Sequence, residues 1–143
     1  MPLRLSIYPP PELCAVRGSG SVTRAEIEDY LAETIREGAK GYAKLIDLRA
    51  ATLELDHDDL ETVAQDLVQY GWGERAGPVA MVVATPLTLD MAVLLKQRVG
   101  DRPFRIFTDI ASATDWLASY QQSYRDDASP LRLEGRALRH LHH

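Results

Sequence analysis

Alternation dominates the first residues of the chain. Leu3, Leu5 and Ile7 interleave with Arg4, Ser6 and Tyr8, the period-two pattern of a half-buried strand. Pro9, Pro10 and Pro11 then interrupt regular structure, because proline fixes φ and removes a donor. A second strand is predicted from Leu13 to about Arg17, ended by Gly18 and Gly20. The period then changes. Thr23 is the expected N-cap of a first helix, with Glu26 completing a capping box and Val22 and Ile27 forming a hydrophobic staple. Ile27, Tyr30, Leu31 and Ile35 are expected to share its buried face, and Gly38 and Gly41 mark its exit.

The same logic repeats downstream. Leu45 to Arg49 reads as a short strand, and Asp56 with Asp59 caps a second helix. Leu60, Val63, Ala64, Leu67 and Val68 give that helix a full apolar stripe, which Gly71-Trp72-Gly73 ends. The run from Val79 to Ala84 is almost continuously apolar, as in strands buried on both faces of a parallel sheet. Thr85 caps a third helix with Pro86 at its first position. A last strand holds Phe104, Ile106 and Phe107. A fourth helix starts near Asp109 and carries Ala113, Trp116, Leu117, Tyr120 and Tyr124 on one face. The predicted order is β-β-α-β-α-β-α-β-α: an α/β domain with a mixed, mostly parallel sheet and four helices. Residues 1–125 form that domain, and 126–143 form a C-terminal basic tail containing Arg132, Arg136 and Arg139.

Composition narrows the function. A chain of 143 residues fits one domain, and one of that size buries roughly two thirds of its unfolded surface without needing a disulfide or metal. The formal charge of -5 argues against nucleic-acid partners. No apolar run approaches transmembrane length, and the N-terminus lacks a signal-peptide pattern, so the expected location is the cytoplasm.

Two phrases, Leu45 to Arg49 (LIDLR) and Phe104 to Leu117 (FRIFTDIASATDWL), together with the element order, resemble the STAS domain superfamily, and within it the SpoIIAA-like branch. The resemblance covers about Leu3 to Leu117. It implies a regulatory or binding domain and not an enzyme. Anti-sigma factor antagonists of that superfamily are phosphorylated on a serine at the start of the helix after the LDL-type strand. The corresponding stretch here, Leu55 to Asp59, contains no serine or threonine, and its carboxylates are hostile to a phosphate.

Candidate chemistry is sparse. Cys14 sits in an apolar strand and reads as a core residue. Gly18-Ser19-Gly20 resembles part of a dinucleotide-binding loop but lacks its third glycine, and a turn is the better reading. His140, His142 and His143 end the chain without the rigid surroundings of a functional metal site. His57, at a helix start among acids, reads as solvated. No nucleophile–base pairing or hydrolase motif occurs, so no catalytic residue, metal or cofactor is expected. Asp47, Arg49 and Thr85 fall at predicted strand ends, where ligands of parallel sheets tend to bind. The favoured reading is structural: Asp47 caps backbone and pairs with Arg49.

The third helix is the most informative segment. Met91, Ala92, Leu95 and Val99 make one stripe, yet Leu87, Leu89, Val93 and Leu94 spread over much of the remaining circumference. A helix lying on a sheet normally shows a polar outer face. Leu87, Met91 and Leu94 are therefore the expected partner or ligand surface, with Leu87 and Leu94 outward and Ala92 and Leu95 inward. The leading expectation is a non-enzymatic binding or regulatory module that self-associates or meets a protein partner. The alternative is a carrier or sensor of a small apolar, lipid-like ligand.

Overall fold

The computed structural model describes residues 3–70, 77–99 and 103–128, the last eight of these through their backbone. Its strands are β1 (Leu3–Tyr8), β2 (Leu13–Thr23), β3 (Ala43–Glu54), β4 (Val79–Val82) and β5 (Phe104–Phe107). Its helices are α1 (Arg24–Arg36), α2 (His57–Tyr70), α3 (Pro86–Val99) and α4 (Ile110–Ala128). The element order is the one expected. The five strands form one sheet in sequence order. β1 runs antiparallel to β2, and every later pair is parallel.

Alternation in β4 shows how the layers are divided. Val79, Met81 and Val83 point into the larger core with Val22, Leu48, Leu60, Val63, Ala92 and Leu95. That core joins one sheet face to α1, α2 and α3. Ala80 and Val82 point the other way, into a smaller core with Ala113 and Leu117 of α4. A strand sandwiched between two apolar layers has no solvated face, which is why β4 reads as an unbroken apolar run.

The helix caps follow the sequence closely. The Thr23 N–H and hydroxyl both donate to the Glu26 carboxylate, at 2.8 and 2.9 Å. Asp56 and Asp59 exchange reciprocal backbone-to-carboxylate bonds at 3.1 and 2.8 Å. The Thr88 N–H donates to Thr85 Oγ1 at 3.2 Å, and the Ser112 N–H to Asp109 Oδ1 at 2.7 Å. α1 ends in two reverse hydrogen bonds, Gly38 N–H to the Ile35 carbonyl and Ala39 N–H to that of Thr34, the pattern of a Schellman cap. Ion pairs tie the helical layer together: Arg24 to Asp59 between α1 and α2, and Arg98 to Glu61 between α2 and α3.

Three expectations are corrected. β2 does not stop at Gly18 and Gly20 but continues to Thr23, and Gly18-Ser19-Gly20 is strand and not a turn. The register shifts between Arg17 and Ser19. Gly18 is needed there because a Cβ would lie 3.0 Å from Leu48 Cδ2 and 3.1 Å from Ala51 Cβ. β3 likewise runs to Glu54, past Arg49, since Ala50 to Glu54 pair with Ser19 to Thr23. In α1 the buried stripe is rotated: Thr34 is fully buried and Ile35 is 54% exposed. The Thr34 hydroxyl satisfies itself on the Tyr30 carbonyl at 2.8 Å, which lets a polar residue occupy that core position. α4 extends through Ala128. The arginines and histidines of the tail, Gly71 to Gly73, and the side chain of Tyr124 lie outside the described residues.

Lys44 was not anticipated. Its side chain is almost wholly buried. The ammonium donates to the carbonyls of Ala39 at 3.3 Å and Tyr42 at 2.8 Å, and to that of Lys40, and it lies 5.3 Å from the centre of the Tyr70 ring. A buried ammonium is tolerated only with such partners. Here it fastens the turn between α1 and β3.

Candidate functional site

Helix α4 packs against β3, β4 and β5 and leaves the β1–β2 side of its sheet face open. There a cleft of about 480 Å³ is lined by Arg4, Ser6 and Tyr8 of β1, Arg17 of β2, and Asp47 and Arg49 of β3. Period-two geometry turns these residues to the same face, because each strand contributes every second side chain. Ala15, Leu45 and Ile110 supply the apolar part of the lining.

The centre of the cleft is an ion pair. Arg49 donates to Asp47 from its backbone N–H at 3.1 Å, from Nε at 3.0 Å and from Nη2 at 2.9 Å. This is the structural pairing expected from the sequence. Those hydrogen bonds from Arg49 hold the Asp47 carboxyl below the usual carboxylate range, against the opposing effect of its burial, and the charge of Arg17 adds to the lowering. Asp109 is also held low, first by its bonds to Ser112 and then by Arg49. Thr85 does not join this group. It is exposed and engaged in capping α3.

The arrangement can bind charge. Asp47 is kept ionised and saturated, so it is a poor general base. Cys14 is fully buried, and burial pushes its thiol pKa up, the reverse of what a nucleophile requires. Among the described residues no group of three or more His, Cys, Asp and Glu side chains is placed to hold a metal.

The other sequence-predicted surface lies behind the sheet. On α3, Thr88, Ala92 and Leu95 are buried, while Leu87 is 56% exposed and Leu94 is 40% exposed. Leu89 and Val93 are exposed as well. Met91 is half-buried against the main core. The outward placement of Leu87 and Leu94 and the inward placement of Ala92 and Leu95 match the periodicity argument. Polar relief on this side comes from Asp90, Lys96 and Gln97, all exposed.

A third feature escaped the sequence. Between β1 and α1 lies an open groove of about 510 Å³, with Leu3, Leu5 and Ile7 as its floor. Its wall is a helical stripe of carboxylates, Glu26, Asp29, Glu33 and Glu37. The i, i+3, i+7, i+11 spacing of these acids was the available signal. A shallower depression lies between α2 and α3 near Glu61 and Arg98.

The fold is similar to the crystal structure of an uncharacterised DUF3478-family protein with a SpoIIAA-like fold from Shewanella loihica PV-4. The TM-score is 0.56 and the sequence identity 18%, covering 80% of this chain and 91% of that one. This chain therefore has a SpoIIAA-like fold. No protein-family model and no curated protein matches the sequence. Among the described residues, no helix is long and apolar enough to cross a membrane.

Proposed function

We propose that the protein is a non-catalytic, STAS-like binding module that self-associates through the outer surface of α3. The observation that carries this reading is the exposure of Leu87, Leu89, Val93 and Leu94 together on one helix whose inward stripe is already occupied. Clustered apolar side chains on a monomer surface mark interaction sites more often than isolated ones do. The SpoIIAA-like fold supports a module of the binding or regulatory kind. The saturated Asp47–Arg49 pair and the inert Cys14 support the absence of catalysis.

The test is Leu94→Glu, followed by size-exclusion chromatography with light scattering and by thermal melting. Leu94 is partly exposed, so the variant is expected to fold with a melting point close to that of the parent. A self-associating parent and a monomeric or weakened variant are the expected result. A parent that is monomeric at high concentration, with no lipid found by native mass spectrometry, would remove this reading. A monomeric parent carrying lipid that Leu94→Glu abolishes would favour the alternative, a carrier of a small apolar ligand at Leu87, Met91 and Leu94.

A further inference from the structure

The open part of the sheet face carries arginines that the fold does not use. Arg4 on β1 stands directly opposite Arg17 on β2 in the antiparallel register. Like charges in that relation destabilise a sheet. Arg17 is in turn the register partner of Asp47 on β3, but Asp47 already holds the guanidinium of Arg49 on both its oxygens. Among the described residues, no carboxylate lies within ion-pair distance of Arg4 or Arg17. Both are exposed, and both line the same cleft. In a chain of net charge -5, two arginines at facing register positions in one concavity, neither held in an ion pair, call for an explanation.

We propose that this cleft binds a small organic anion, with Arg4 and Arg17 gripping its carboxylate or phosphate group. Guanidinium groups suit that task because their forked donors match planar and tetrahedral oxyanions. The Asp47–Arg49 pair is internally neutral and forms a fixed wall. Asp109 faces Arg49 from the start of α4 and weakens the positive field there, so the anionic group belongs at the Arg4–Arg17 end. The hydroxyl of Ser6 lies along the same strand face. The rest of the ligand meets Tyr8, whose side chain is exposed, and the apolar Leu45 and Ile110. A cleft of about 480 Å³ falls within the size range of small-molecule sites. The ligand class is therefore an anion with an apolar or aromatic body. α3 lies on the opposite sheet face, so this proposal and the self-association reading can fail separately.

The experiment is a titration of the full chain, followed by amide NMR, with phenyl phosphate and with benzoate at ionic strength held constant by sodium chloride. The two probes distinguish a phosphate from a carboxylate ligand. Saturable shifts in β1 and β2 are expected with at least one probe. Arg17→Gln and Arg4→Gln should each weaken that binding at least tenfold, while Arg36→Gln on α1 leaves it unchanged. Because each cleft variant removes one of two facing like charges, its melting point should not fall. Lack of saturation by about 10 mM, which is weaker than a selective small-molecule site, would overturn the proposal. So would cleft variants that bind as tightly as the parent, or the same shifts produced by chloride alone.

Discussion

Arg49 closes Nε and Nη2 on the two oxygens of Asp47, two residues earlier on the same strand, at 3.0 and 2.9 Å. The pair sets the acid response of this region. The folded carboxyl is held below its ordinary pKa, chiefly by Arg49. Its contribution to stability is therefore complete above the unfolded carboxylate value, about 3.9, and is lost as pH falls through the lower folded value. Urea denaturation of the parent and Asp47→Asn across this range should show a stability gap at neutral pH that narrows in acid. A gap independent of pH would mean that the ionised pair contributes nothing.

Gly77 precedes β4 where that strand meets the turn before β3. A Cβ there would lie 2.1 Å from the Tyr42 carbonyl oxygen and 2.7 Å from that of Gly41. Both obstacles are backbone, so Gly77→Ala is expected to destabilise by about 3 kcal/mol, the upper end of overpacking costs. Gly18→Ala meets the movable end of Leu48 at 3.0 Å and the fixed Cβ of Ala51 at 3.1 Å, both farther off than the carbonyls at Gly77, and should cost less. Chemical denaturation midpoints of the two variants would reverse that order if the β4 entry is looser than described.

The reciprocal bonds between Asp56 and Asp59 make α2 dependent on its cap. Asp56→Ala should cost about 1 kcal/mol, and Asp56→Asn, which keeps an acceptor oxygen, much less. Thr23→Ala at α1 should cost a similar amount, because the residue organises Glu26 at the helix start. An unchanged midpoint for Asp56→Ala would show that the first turn of α2 is held by Leu60 packing alone.

Cys14 should be silent toward thiol reagents in the native state. Its side chain is fully buried, and burial raises its pKa despite the nearby charge of Lys44. Labelling with an aromatic disulfide should proceed only at the rate of structural opening and accelerate sharply in denaturant. Immediate stoichiometric labelling of the folded protein would contradict the burial.

Periodicity made the elements and their order readable, along with the caps at Thr23, Asp56 and Thr85. It failed where long-range geometry overrode local signals. Gly18 and Gly20 look like punctuation, but β3 provides the ladder that carries β2 through them. Ile35 looks like a core residue, but Thr34 takes the inward position with its hydroxyl satisfied on the Tyr30 carbonyl. Lys44 looks like a surface residue, yet the carbonyls of residues 39, 40 and 42 converge on it from a turn that no local pattern describes. At the cleft, Asp47 and Arg49 were legible because they are neighbours in sequence. Arg4 and Arg17 were not, because only strand pairing brings them to the same place. On α3 one stretch of sequence held the whole signal, so the outward positions of Leu87 and Leu94 could be read in advance.

The edges of the sheet bear on how copies of the chain can meet. Among the described residues β5 pairs only with β4, and it is four residues long. Its Arg105 lies over the rings of Phe107 and Trp116, placing a fixed charge beside the free rim. At the opposite rim β1 runs straight into three consecutive prolines, which cannot donate to an incoming strand. Short or charged rims and adjacent prolines are the usual devices against strand-by-strand growth. The sheet is thus poorly suited to elongate into ribbons or fibres, which leaves the helical faces for the self-association proposed through α3.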